Sequence, residues 1–201
     1  TPKNYYSNSV TPLQVETAIK HGIDNIFVAT FGDDGAECPI FSVLPAILTT
    51  AEIFYGGNNK ENLNIRSQEC FGLSYDDFMK IDTIGVLGEE YDYQDNCPST
   101  LEKSAFYNDI MIGLMNDNIK HFKIEGKYAK DAEILKTVPH SRYDYLFDTQ
   151  IKYAHALSIK AELPIKLKQA YKNDDRQSLK TIAEKTLPQC IAAIKDFERA
   201  L

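Results

Sequence analysis

A chain of 201 residues, 43% hydrophobic and 25% charged, is long enough for one large domain with a buried core. Its formal charge of −7, with no basic run, argues against nucleic acid or an anionic membrane as the main partner. No apolar stretch approaches the ~20 residues of a membrane span, and the polar opening Thr1-Pro2-Lys3-Asn4 is no secretory signal.

Residues 1–10 read as an irregular lead-in. Thr11-Pro12-Leu13-Gln14 then predicts a helix start, with Thr11 as N-cap, Pro12 at the tolerated first position and Gln14 closing a capping box. That helix carries Val15, Ala18 and Ile19 and ends at Lys20-His21-Gly22. Ile23 to Thr30, with the apolar run Ile26-Phe27-Val28-Ala29, predicts a strand covered on both faces. Such a strand needs sheet partners for its backbone, and no second strand of this quality follows. Together with Thr rather than Met at position 1, this leads to the expectation that a larger protein precedes it.

An acidic, glycine-hinged loop follows, Phe31-Gly32-Asp33-Asp34-Gly35-Ala36-Glu37-Cys38. Pro39 opens a helix whose apolar face is Ile40, Val43, Leu44, Ile47, Leu48, Ala51, Phe54 and Tyr55, with a kink or a broken first turn expected at Pro45 and Gly56-Gly57 stopping it. Asn59 to Phe71 predicts a helix closed by Gly72, and Ser74 caps another carrying Phe78, Met79 and Ile81. Residues 83–98 read as loop. Ser99-Thr100-Leu101-Glu102 is a capping box that predicts an apolar helix through Phe106, Ile110, Met111, Leu114 and Met115. A short helix and a connector are expected over 116–140. Two long helices finish the chain. Ser141 caps the first, kinked at Pro164; Asn173-Asp174-Asp175 turns the chain; the second runs from Leu179 to Leu201, interrupted by Pro188. Their apolar stripes predict an antiparallel hairpin.

The residues alone leave the chemistry open. Asp33, Asp34 and Glu37 fit a solvated turn near a helix start, where carboxylates are favoured. Tyr91 and Tyr93 fit a partly packed surface loop, Cys38 a buried thiol, and His21 a helix C-terminal residue. Cys38, Cys70, Cys97 and Cys190, and His21, His121, His140 and His155, are scattered without ligand spacing, so no metal or cofactor is expected. Reduced thiols suit a cytoplasmic protein.

Three stretches resemble glycoside hydrolase family 20, the β-N-acetylhexosaminidases, and within it the C-type subgroup of exo-acting enzymes. They are Thr30 to Cys38 with Phe41-Ser42-Val43-Leu44-Pro45, then Phe71 to Asp82, then Ile165 to Asp175, in matching order across residues 11–201. The resemblance implies a mainly α chain: a helical C-terminal domain (residues 39–201) preceded by the last helix–strand unit and loop of a (β/α)8 barrel (residues 1–38). It places the loop at the barrel's C-terminal face, where such enzymes keep their sites. In the family this loop begins with a tryptophan that walls the terminal sugar, and a carboxylate two residues on binds its outer hydroxyls. The matching positions are Phe31, an apolar ring without the indole N–H, and Asp33. The partner implied is the terminal N-acetylhexosamine of a glycan. The implied chemistry is retaining and substrate-assisted, with an Asp-Glu pair on an earlier strand; this chain has no Asp-Glu dipeptide, so it is expected to be inactive in isolation. An unpaired strand edge makes homodimerisation a further expectation. The competing reading is a self-contained acidic helical interaction module without catalysis.

Overall fold

The computed structural model describes residues 2–30, 37–56, 59–86 and 101–201, and within these the chain is helical with no strand. It divides into two compact units: Thr1–Thr83 with Thr137–Phe147, and Ile84–Lys136 with Asp148–Leu201.

In the first unit, helix α1 spans Asn4–Lys20, one and a half turns or more upstream of the expected start at Thr11. The cap that matters is remote. Asp82 Oδ2 accepts the Tyr5 N–H at 2.8 Å, supplying an acceptor to the helix start that no local residue provides. Pro12 therefore lies inside the helix, where it withholds one intrahelical hydrogen bond. Residues 23–30 form no strand here, because a strand is defined by its ladder and no described segment pairs with them. They carry Phe27 at 92% exposure.

A 3-10 turn, Ile40–Val43, leads into α2, Leu44–Gly56, so Pro45 sits in the first helical turn. Helix α3, Lys60–Phe71, ends at Gly72 as expected, and Asn59 is its N-cap rather than its first residue. The Asn59 side chain accepts the Glu61 N–H, and Gly72 takes the left-handed φ of 74° that favours glycine. Ser74 caps α4, Tyr75–Met79, through the Asp77 N–H, and a 3-10 segment, Lys80–Gly85, follows. Leu48, Leu63, Tyr75 and Met79 form one core cluster with Phe71 against it. Phe78, fully buried, joins Phe71 to Tyr143 and Phe147 from the returning segment 137–147.

In the second unit, α5 spans Leu101–Tyr107 and stops well short of Met115. The reason is local. Asp109 Oδ1 accepts the N–H groups of Met111 and Ile112, and Asn108 Oδ1 accepts that of Met115, so side chains replace the helical ladder. Gly113, at φ 66°, completes the turn. Lys160, only 7% exposed, closes the end of α5 by donating to the carbonyls of Phe106 and Asn108. Burial pulls its pKa down. Lys160→Met keeps the stem and removes both donors, leaving two buried carbonyls unpaired. It is expected to lower the unfolding free energy by about 2 kcal/mol in urea titrations, and an unchanged midpoint would remove Lys160 from this role.

Short helices α6, Asn116–Ile119, and α7, Lys127–Lys136, occupy the connector. Helix α8, Asp144–Lys160, gives its first turn to the first unit and the rest to the second. The expected kink at Pro164 is a full break: α8 ends and α9, Leu163–Lys172, begins with the proline in its first turn, where a missing N–H costs nothing. The Asp175 side chain caps α10, Arg176–Thr181. A π-helical turn, Ile182–Thr186, separates it from α11, Leu187–Glu198, whose first turn holds Pro188. The hairpin is antiparallel: Thr149 bonds to Ala200, the Tyr153 and Phe197 rings lie 4.8 Å apart, and Leu163 packs with Ile182 and Cys190.

Candidate functional site

The loop singled out by sequence joins residues 23–30 to α2. Phe31 and Asp33, with Asp34, lie outside the described residues, as do Tyr91 and Tyr93. The two flanks of the loop are described, and they differ sharply.

The upstream flank is apolar and exposed, with Ile23 at 50% and Val28 at 48%. The downstream flank is pinned, with buried residues at its anchor points. Glu37 and Ser42 are 1% and 0% exposed, so the solvated-turn reading fails for Glu37. Cys38 is partly buried, and burial pushes its thiol pKa up, which suits an inert thiol rather than a nucleophile. The pin is Asn4. Its Nδ2 donates to the Ser42 carbonyl at 2.9 Å and to Asp82 Oδ1 at 2.7 Å, while its Oδ1 accepts the Ala46 N–H at 3.1 Å. One buried amide thus ties the start of α1, the exit of the loop and the 3-10 segment after α4. Burial raises the Asp82 carboxyl to about 6, against the lowering pull of the Tyr5 and Asn4 donors.

Sequence reasoning missed Asn4 and Asp82. Asn4 sat in a stretch without apolar periodicity, and Asp82 lies 78 positions away. No local signal joins two such residues.

Among the described residues, the buried carboxylates Glu52 and Asp82 are already engaged. Glu52, 2% exposed, accepts from Asn62 and pairs with Arg66 at 2.6 Å. Asp82 is equally buried. A glycosidase pair must reach an open cleft on both sides of the scissile bond, and neither of these does. An open groove of about 540 Å³ runs along α1, lined by Val10, Leu13, Thr17, Ala18 and Ile23. It is nearly all apolar and lacks the converging polar groups that orient a sugar. His21 also borders it, at the C-cap of α1, with its N–H bonded to the Thr17 and Ala18 carbonyls as a helix end requires. Among the described residues no group of three His, Cys, Asp or Glu side chains is placed to hold a metal ion, and no helix is long and apolar enough to cross a membrane.

No curated protein matches the chain. A protein-family model does: the Glycoside Hydrolase 20C C-terminal domain, over residues 76–201. The matched region begins within α4 and takes in the whole of the hairpin built from α8 to α11. Since the match spans well over half of the sequence, the chain belongs to the glycoside hydrolase 20C C-terminal domain family.

Proposed function

We propose that this chain is the C-terminal part of an exo-acting β-N-acetylhexosaminidase, which removes terminal N-acetylhexosamine by substrate-assisted, retaining hydrolysis. The family match over residues 76–201 carries this reading. In it, residues 11–30 are the last helix and strand of the catalytic barrel. The exposed apolar segment with Phe27 at its centre fits that role, because a barrel strand without its neighbours has both faces uncovered. The loop supplies Phe31 as an apolar wall to the sugar and Asp33 as an acceptor for its outer hydroxyls. The pinned flank from Glu37 to Ala46 fixes where the loop leaves. The reacting Asp-Glu pair lies upstream in the parent polypeptide, and the 201-residue chain alone is inactive.

Hydrolysis of an aryl N-acetyl-β-glucosaminide tests this. The parent polypeptide turns the substrate over and the isolated chain does not. Asp33→Ala in the parent lowers kcat/KM roughly 10- to 100-fold, the size of a lost hydrogen bond to a charged group. Turnover by the isolated chain would refute the upstream placement of the catalytic pair. An inactive parent would refute the hydrolase assignment and favour an acidic helical interaction module. An Asp33→Ala parent with unchanged kcat/KM would remove Asp33 from the pocket.

A further inference from the structure

The second unit carries an open groove of about 410 Å³ between α9 and α10, within the roughly 300–1,000 Å³ of small-molecule sites. The two helices pack against each other, so their facing side chains make its walls. Gln169 and Asn173, one helical turn apart, line it from α9 and its C-cap. Gln177, Ser178 and Thr181 line it from α10. Ala170 and Ile182 also line it, and both are buried, at 7% and 8% exposure. The groove thus has an apolar floor and polar walls.

The polar groups are nearly all neutral and open to a ligand. The side-chain amides of Gln169, Asn173 and Gln177 have no hydrogen-bond partner among the described residues. Each offers donors and an acceptor in one plane. Ser178 Oγ donates to Asp175 at 2.7 Å and Thr181 Oγ1 to the Gln177 carbonyl at 3.0 Å, so both hydroxyl oxygens can still accept. The two charged residues of the lining are engaged within the chain. Lys166 pairs with Glu162 at 2.8 Å, and Asp175 accepts the Ser178 N–H at 3.0 Å. An anion would meet a lysine already paired, with Asp175 in the same lining. A wholly apolar ligand would cover the amides without pairing them. A sugar ring matches both parts, because its C–H face suits the floor and its hydroxyls suit the walls. An acetamido group adds to the match. It pairs donor to acceptor with a side-chain amide, and its methyl suits the floor.

Resting on the hexosaminidase reading above for the identity of the sugar, we propose that this groove is a second carbohydrate site, which holds an N-acetylhexosamine unit of a glycan. It is built from residues 166–182 and not from the loop that carries Phe31 and Asp33, and it lies inside the matched family region. No aromatic side chain lines it, so hydrogen bonds carry the recognition and the Kd is on the order of 1 mM. Weak holding of this kind serves retention: a glycan bound at one point meets the catalytic pocket at a raised effective concentration.

Heteronuclear NMR of the 201-residue chain tests this, because Asn and Gln side-chain amides give their own signals. The probes are triacetylchitotriose, cellotriose (the same length without acetamido groups) and glycerol. Triacetylchitotriose is expected to shift the Gln169, Asn173 and Gln177 amide signals saturably. Cellotriose binds at least about 5-fold more weakly, and glycerol gives no saturable shift. Asn173→Ala with Gln177→Ala, checked for folding by circular dichroism, weakens binding by about 10-fold or more. Gln169→Ala, a single change at an exposed position, serves if the double variant does not fold. No shift of these amides at roughly 20 mM triacetylchitotriose, well above that Kd, would overturn the proposal. So would affinity unchanged in the variants, a glycerol response equal to that of the sugar, or equal affinity for cellotriose. Asp33→Ala in the same chain leaves binding at this groove unchanged. Turnover by the parent is scored separately: an active parent with a silent groove fails this inference alone, and an inactive parent with saturable binding here fails only the hydrolase reading.

Discussion

Phe78→Ala is expected to destabilise the first unit by about 3–5 kcal/mol, the usual loss for truncating a buried phenylalanine. Phe78 is 0% exposed. Its ring meets Phe71 edge-on at 5.3 Å, and lies 5.6 Å from Tyr143 and 5.8 Å from Phe147. It therefore joins the α3–α4 region to residues 137–147, which return from far along the chain. Alanine removes both the apolar area and the ring contacts, and leaves a cavity that three aromatic neighbours cannot close without leaving their rotamers. Phe78→Leu keeps most of the volume and is expected to cost about 1 kcal/mol. With two compact units, unfolding need not be two-state. The chain has no tryptophan, so hydrogen exchange read by peptide is the better probe. Protection in Phe78→Ala should fall in residues 60–83 and 137–147. Unchanged protection there would show that the ring cluster does not hold the unit together.

How much of this could be read in advance depends on how local the physics is. The caps at Gly72 and Ser74 formed as the sequence indicated, because a cap involves groups within a few positions. So did the broken first turn at Pro45 and the interruption at Pro188, which are covalent consequences of proline. Failures gathered where a distant partner decides. Asn4 and Asp82 set where α1 begins, overriding the good local cap at Thr11. The end of α5 was local but misread, since the apolar periodicity through Met115 outweighed the competing Asn108-Asp109 pair. For α2, sequence gave the helix and its apolar residues but not their direction. Leu48 turned inward and Ile47 outward, although both sat on the expected apolar face. Residues 23–30 show the same limit in another form, because a strand is a property of a pair and no described segment pairs with them. Phe31 and Asp33 rest on resemblance alone, since the family match covers residues 76–201 and both lie upstream of it.

Asp82 supplies the second large effect, and it depends on pH. Its carboxyl is 2% exposed and accepts two neutral donors, the Asn4 amide and the Tyr5 N–H. Desolvation outweighs those bonds and raises its pKa from 3.8 to about 6. A carboxyl that holds its proton more tightly folded than unfolded stabilises the fold when protonated. That contribution is complete below about 3.8 and is lost as pH rises through about 6. The shift corresponds to stability on the order of 3 kcal/mol. Carboxylates whose charged form is held by donors act in the opposite sense. Lys80 and Ser74 hold the Asp77 pKa down, and Ser178 does the same for Asp175, so acid weakens what these contribute. The total pH profile therefore mixes both signs, and the informative quantity is a difference. In Asp82→Asn the side chain stays neutral throughout, while its amide nitrogen can no longer accept one of the two donors. That loss is a constant offset of about 1 kcal/mol. Denaturation of both proteins at steps from pH 4 to pH 7 should show the unsubstituted chain losing about 2 kcal/mol relative to Asp82→Asn across the window, with most of the change below pH 6.5. The variant should thus be the less stable at pH 4 and the more stable at pH 7. Parallel profiles would mean that Asp82 titrates alike in the folded and unfolded chains. The knot at the start of α1 would then be held by its hydrogen bonds alone, with no proton linked to the anchoring of the loop's exit.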